Sequence, residues 1–345
     1  MAQSMLMSPV TIGRHTFKNR VFMSPMCMYS SQPGTGLLDQ RRFDHYVARA
    51  AGGVGAIVVE ATSVQPQGGI TNLDLGLWND EQARALAGLT AVVHSYDTKI
   101  GIQLGHSGRK GVSWETVYAP SAVGRFSDSP EYKDPVALTA EQVEKFIADF
   151  IAAAKRAESA GFDFIEIHGA HGYLLSEFIS PLTNHRTDEF GGSLEKRYEV
   201  FRRIITGIKA QTELDIHLRI SANEVDPAGN SLDDIQQVLT WAHRDGVVFF
   251  DISSGGITPT APEIFPGYQA LHAAKFAAAG LPVGAVGLLD TPELAEYVLR
   301  AGHAQVIYIG RGLIANPNWV LNAAYKLHDA PNAPLPINTY IRGLK

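Results

Sequence analysis

A closed (β/α)₈ barrel is the fold this sequence predicts, and three observations predict it. Short apolar runs recur eight times along the 345 residues. Helical patterns fill most of the gaps between them. No G-x-G-x-x-G follows a strand and no G-x-x-x-x-G-K-[ST] occurs, so the sequence lacks the marks of an open nucleotide-binding sheet.

The apolar runs lie at 20–23, 56–60, 100–104, 162–168, 216–220, 247–252, 283–286 and 305–309. Their near-continuous Val, Ile and Phe content fits strands buried on both faces, as in a parallel sheet. Helical spacing appears at 81–96, 140–160, 194–211, 232–244 and 292–300. Caps open several of these: Thr139 with Gln142, Ser231 with Asp234, and Thr291 with Pro292 at the first helical position. Gly161, Gly246, Gly280 and Gly302 follow helices as stops. Two long loops, about 105–138 and 173–193, leave the ends of strands three and four. They reach the C-terminal rim, where barrel active sites lie. No linker interrupts the chain, so residues 1–345 are expected to form one barrel domain with rim insertions and a C-terminal extension.

Composition narrows the function. Hydrophobic residues at 45% and charged residues at 19% supply a large core and argue against disorder. The net charge of −6 and the lack of a basic block disfavour nucleic acid and anionic membranes as partners. One cysteine, Cys27, rules out a disulfide framework and any cysteine-held metal cluster. The uncharged run 276–289 is short and broken by Gly280, Pro282, Gly284 and Gly287, so no membrane span is expected. No charged n-region precedes an apolar stretch before Arg14, so no signal peptide is expected and the default setting is cytoplasmic.

Chemistry collects at the strand ends. Glycines after strands seven and eight (Gly284, Gly287, Gly310, Gly312) let backbone approach an anion, and Arg311 adds a forked cation suited to phosphate. His168-Gly-Ala-His171, followed by Tyr173, is a pair of imidazoles beside a phenol. Neutral imidazoles can donate hydrogen bonds that polarise a substrate oxygen. The same pair could ligate a metal if Glu60 or Asp251 turned toward it, which would make the protein a barrel hydrolase. A flavin- or ligand-binding barrel without turnover is a third possibility.

The segments KNRVFMSPMCMYSS, VVEATSVQPQGG, IGIQLGHSGRK, GFDFIEIHGAHGYLLSEFISPLTNHRTDEFGGSLEKR, FPGY and YIGRGL resemble the old yellow enzyme family, in order and over essentially the whole chain. They are most similar to its bacterial thermophilic-like NADPH dehydrogenase (ene-reductase) subgroup. The resemblance implies a TIM barrel that binds FMN non-covalently and takes hydride from NADPH or NADH. The hydride would pass from flavin N5 to the activated C=C bond of an α,β-unsaturated carbonyl or nitro compound, in ping-pong order. It places Ser24, Pro25, Met26, Cys27 and Ala61 beside the flavin ring and Gln103 at its pyrimidine edge. It puts Arg219 near N1, and Gly287, Gly310 and Arg311 at the phosphate. His168 and His171 would hold the substrate oxygen, Tyr173 would protonate the α-carbon, and Cys27 would tune the flavin and touch substrate. Tyr29 would contact substrate. Arg342, in a C-terminal finger, would enter the neighbouring subunit's site in a homodimer or homotetramer. The chain ends Leu344-Lys345 where the subgroup often has an aromatic. It also carries Gly105 and Gly169 where alanine is common, which removes a methyl near the pocket at each. No metal is implied.

Overall fold

The computed structural model describes residues 4–329. Among these, eight parallel strands close on themselves: β1 (Val21–Met23), β2 (Ala56–Ser63), β3 (Lys99–Gly105), β4 (Phe164–Gly169), β5 (Asp215–Ser221), β6 (Val247–Ser253), β7 (Val283–Ala285) and β8 (Val306–Ile309). Closure is made where Ile307 lies opposite Val21 and Phe22 opposite Ala56. All eight predicted strands are present. Helices alternate with them: α1 (Gln40–Ala51), α2 (Asp80–His94), α3 (Ala140–Ser159), α4 (Leu194–Gln211), α5 (Leu232–Asp245), α6 (Ala270–Ala278), α7 (Pro292–Arg300) and α8 (Trp319–Lys326).

Five of these helices match the spacing in the sequence, and three do not announce themselves. The buried face of α1 carries Arg42, Tyr46 and Arg49. An arginine-lined inner face shows no apolar period to read. The helices α6 and α8 span only nine and eight residues. Thr139 and Ser231 form complete capping boxes. Thr291 does not cap with its side chain; Pro292 alone marks that start. The four glycines that follow helices all have positive φ.

Alternation along the strands separates two apolar layers. Outward residues such as Ile57, Ile102, Ile167 and Leu218 pack against the helices. Inward residues fill the barrel from below: Phe22, Phe164, Phe249 and Val306 meet Ile12 and Phe17. The last two come from an N-terminal hairpin, Val10–Ile12 paired with His15–Phe17, which plugs the floor. The Phe17 ring lies 4.7 Å from Phe22 and 6.2 Å from Phe164. With the floor sealed by aromatic packing, the open end is the C-terminal rim.

The two rim loops form a single structure. The first contains a 3₁₀ turn, Gly108–Lys110, and a small sheet pairing Tyr118–Ala119 with Val136–Ala137. The second contains a short helix, Leu174–Ile179. The Leu174 N–H donates to His106 O at 3.0 Å, and Arg186 donates to Pro120 O at 3.0 Å. Arg109 meets the fully buried Glu177 at 3.1 Å. Among the described residues, no helix is long and apolar enough to cross a membrane.

Candidate active site

Above the apolar floor the barrel interior turns polar. Inward-facing positions one layer below the rim are Gln103 on β3, Glu166 on β4, Arg219 on β5, Asp251 on β6 and Tyr308 on β8, all buried. Register pairs them across neighbouring strands: Gln103 lies opposite Glu166, and Arg219 opposite Asp251. Gln103 Nε2 donates to Glu166 Oε1 at 2.7 Å. Arg219 Nε lies 3.0 Å from Asp251 Oδ2, without the alignment of a hydrogen bond. The guanidinium thus neutralises a core carboxylate and still lines the cavity above it.

Two hollows open at the rim. One, about 220 Å³, is lined by Arg219, Gly287, Tyr308, Gly310, Arg311 and Asp290, among others, and reaches His171. Gly287 sits at φ +115°, where a side chain is strained. The second, smaller hollow touches Ala61, Gly105, His106, His168, Tyr173 and Asp74. A larger hollow of about 500 Å³ lies at the opposite end, against the starts of β5 and β6. Its charges largely pair with one another: Arg14 meets Glu213 at 3.0 Å and Asp215 at 3.5 Å. Of the sequence-predicted site residues, His171, Arg219, Gly287, Gly310 and Arg311 line the first hollow, and Ala61, His168 and Tyr173 line the second.

The two imidazoles stand edge to face, 5.3 Å apart, and His168 lies 4.9 Å from the Tyr173 ring. His168 Nδ1 accepts from the Ala170 N–H at 3.4 Å, so Nε2 carries the hydrogen of the neutral ring. His171 Nε2 and Ser253 Oγ are 2.6 Å apart, and the His171 N–H donates to Ser221 Oγ at 2.9 Å. Burial, then the Arg219 charge, holds both imidazoles well below the ordinary histidine pKa. They are neutral donors at physiological pH. His171 adopts φ +61° and Tyr29 φ +49°, conformations that cost energy in residues other than glycine. Gly256 packs so closely on the His171 backbone that a Cβ there would lie 2.6 Å from its Cα.

Burial is also the main cause that pushes the Tyr173 phenol up, so it is protonated at neutral pH. The Cys27 thiol is raised by burial and then by the Glu60 and Asp74 carboxylates; it is a thiol, not a thiolate. Its segment, Ser24–Tyr29, is anchored from both sides. The Ser24 N–H donates to Ile309 O at 3.1 Å and the Met28 N–H to Glu60 Oε2 at 3.0 Å.

Glu60 does not face the imidazoles. A register shift between Val59 and Thr62 turns it outward, where Arg42 Nε at 2.8 Å and Tyr46 OH at 3.1 Å donate to it. Asp251 is committed to Arg219. Neither carboxylate therefore completes a metal set with His168 and His171. Among the described residues no group of three His, Cys, Asp or Glu side chains could hold a metal ion.

One expectation needs correction. Gly105 does border the smaller hollow, but a methyl on Gly169 would meet the Phe201 ring at 2.8 Å and Leu218 at 3.1 Å. Gly169 makes room for helix packing, not for substrate. Arg342 and its finger lie outside the described residues.

Sequence reasoning assigned no role to Lys110. Its ammonium donates to His171 O at 3.0 Å and Gly256 O at 3.2 Å, and lies 4.0 Å from the Phe126 ring centroid and 5.1 Å from that of Tyr173. It pins the His171 turn to the loop after β6. Glu166, Tyr308 and Gln269 were also given no role; their inward placement on alternating strand positions was the available signal for the first two.

Whether these residues fit a flavin mononucleotide can be tested on the structure itself. Ser24 Oγ, Ser254 Oγ and Gln269 Oε1 are buried at the rim without hydrogen-bond partners among the described residues. The Arg219 fork is not used up by Asp251, and Arg311 faces the glycine-edged hollow. These polar groups suit a polar, anionic ligand with a planar hydrogen-bonding edge.

A family model described as "NADH:flavin oxidoreductase / NADH oxidase family" matches residues 5–330. The chain is 44% identical to the NADPH dehydrogenase of Bacillus subtilis (strain 168) over 331 residues, 96% of this chain and 97% of that protein. It is 43% identical to the NADPH dehydrogenase of Listeria monocytogenes serotype 4b (strain F2365) over 332 residues, again 96% and 97%. Among solved structures, morphinone reductase superposes with a TM-score of 0.78 at 22% identity, covering 95% of this chain and 90% of that one. At that identity the likeness speaks for the fold alone.

Proposed function

This chain belongs to the NADH:flavin oxidoreductase / NADH oxidase family, the old yellow enzymes, and from that premise we propose that it reduces the activated C=C bond of α,β-unsaturated carbonyl or nitro compounds. As a family member it is an FMN-dependent NAD(P)H oxidoreductase acting on small molecules. The observation that carries the finer reading is the juxtaposition at one rim of two arginines, two neutral imidazoles and a protonated phenol.

In this reading Gly287, Gly310 and Arg311 hold the phosphate, and Ser24 to Cys27 with Ala61 border the ring. Gln103 and Arg219 meet its pyrimidine edge. FMN, when bound, accepts hydride from NAD(P)H and gives it to the substrate. His168 and His171 orient the substrate through its oxygen. Their N–H donors strengthen as negative charge develops on that oxygen, so they favour the transition state over the ground state. Tyr173 keeps its proton at neutral pH because burial disfavours the phenolate, and it delivers that proton to the substrate's α-carbon. Cys27, a neutral thiol beside Tyr29 and Ala61, acts by contact and polarity and does not act as a nucleophile.

The visible spectrum of the purified protein tests this reading. A bound oxidised flavin that NADPH bleaches without oxygen, and that cyclohexenone restores, is the expected result. A colourless protein that takes up no FMN would sink the cofactor assignment. A flavin that NADPH reduces but no enone or nitroalkene reoxidises would sink the substrate assignment.

A further inference from the structure

The layer of buried polar side chains beneath the rim contains more negative groups than positive ones. Facing Glu166 are Gln103 from β3, His217 and Arg219 from β5, Asp251 from β6 and Tyr308 from β8, with His168 above it on its own strand. His217 is stacked on Phe164 at 4.2 Å, and burial holds it neutral, its pKa lowered to about 3. His168 is neutral as well. One guanidinium therefore faces two carboxyls, neither carboxyl open to water. Asp251 holds the ion pair with it. A second buried carboxylate would have no counter-charge, a state that proteins avoid by protonation.

The hydrogen-bond pattern leaves room for that proton. Glu166 Oε1 accepts from Gln103, while Oε2 and the Tyr308 hydroxyl face each other and have no other partner among the described residues. One proton between them satisfies both atoms, and the charge count of two buried carboxyls against one guanidinium assigns it to Glu166. The Gln103 amide has two ends. With an N–H spent on Glu166, the oxygen is the end left over, free to accept from a donor.

We propose that Glu166 is a positioning residue for the cofactor site: it stays protonated, fixes the orientation of the Gln103 amide, and leaves the Arg219 charge to be shared between Asp251 and the flavin edge. This rests on the reading of Gln103 and Arg219 as flavin contacts. In support, burial, followed by the Asp251 charge, pushes the Glu166 carboxyl up to about 8, and burial raises Asp251 only to about 6 because Arg219 opposes it.

The test uses the whole chain, without FMN and loaded with it. Infrared spectra of protein labelled with ¹³C-glutamate should show, at pH 7, a protonated-acid carbonyl band. Glu177 contributes to that band as well; the Glu166 part should be lost in Glu166→Gln and shift in Tyr308→Phe, with the Glu177 part removed by Glu177→Gln as the control. FMN affinity should stay within about threefold in Glu166→Gln, which mimics the protonated acid, and fall roughly tenfold or more in Glu166→Leu, which deserts the amide. Adding Gln103→Ala to Glu166→Leu should cost nothing further. Wild-type affinity should weaken above pH 8, and that loss should be missing in Glu166→Gln. A band that neither variant changes, or an affinity indifferent to Glu166→Leu, overturns the proposal. Wild-type protein that binds no FMN instead overturns the flavin reading, and the infrared test of the apoprotein still decides where the proton is.

Discussion

Tyr173 and Arg311 divide the proposed chemistry between proton delivery and anion holding, and each gives a separable outcome. Tyr173→Phe keeps the ring against His168 and removes only the proton. Reduction of the protein by NADPH should be unchanged in stopped-flow traces, while turnover with an enone should drop by about 10²-fold or more, the range of general acid catalysis. Equal turnover would assign the proton to water. Arg311→Ala removes a charge-assisted contact at an exposed position of the rim. Its FMN dissociation constant should rise by roughly tenfold or more, with little change in thermal stability of the apoprotein. Lys110 explains why His171 can hold a left-handed backbone: its ammonium, the Ser221 hydroxyl and Gly256 brace the turn from three sides.

Elements meet through polar anchors where apolar patterns are missing. Helix α1 is fastened by Arg42 to Glu60 and by Arg49 to Leu313 O at 3.0 Å. Glu60 in turn holds the Met28 N–H, so one carboxylate links α1, β2 and the segment that carries Cys27. Arg42→Met should strand Glu60 as a buried charge and destabilise the protein by about 3–5 kcal/mol, read as a lower midpoint in urea unfolding. A loss below about 1 kcal/mol would mean that the Tyr46 hydroxyl and the Met28 N–H suffice to hold Glu60. The short strands β1 and β7 depend on closure, because three residues pair stably only when flanked on both sides.

At the scale of the molecule, buried titratable groups set how stability follows pH. Burial lowers His106 and His45 to about 4 and His217 to about 3, with His168 and His171 also well below 6.5. Between about pH 4 and 6.5 the unfolded chain binds more protons at these sites, so histidines make stability rise with pH there. Burial raises Glu166 and Glu177 to about 8. From about pH 4.5 to 8 the folded protein holds more protons at these two, so they make stability fall with rising pH. Five histidines oppose Glu166, Glu177 and, up to about pH 6, Asp251; above 6.5 the two glutamates act until Lys18 and Lys110, lowered by burial to about 8, begin to oppose them. Chemical denaturation should give a maximum near pH 6.5, and Glu177→Gln should flatten the decline from 6.5 to 8. A curve that climbs through that interval contradicts the assignment.

The sequence by itself determined the barrel, its strand order and the rim on which function sits, because those rest on local periodicity and on residue types at strand ends. Eight apolar runs and the His168-Gly-Ala-His171 turn need no distant partner to be recognised. Only the tertiary structure decided that Glu60 faces α1, that Gly169 serves packing, that α1 is a helix at all, and that Gln103 leans on Glu166. Each of those depends on contacts between residues tens to hundreds of positions apart. A bulge, a buried arginine or a shared proton leaves no period along the chain, and its energy exists only once the strands are side by side.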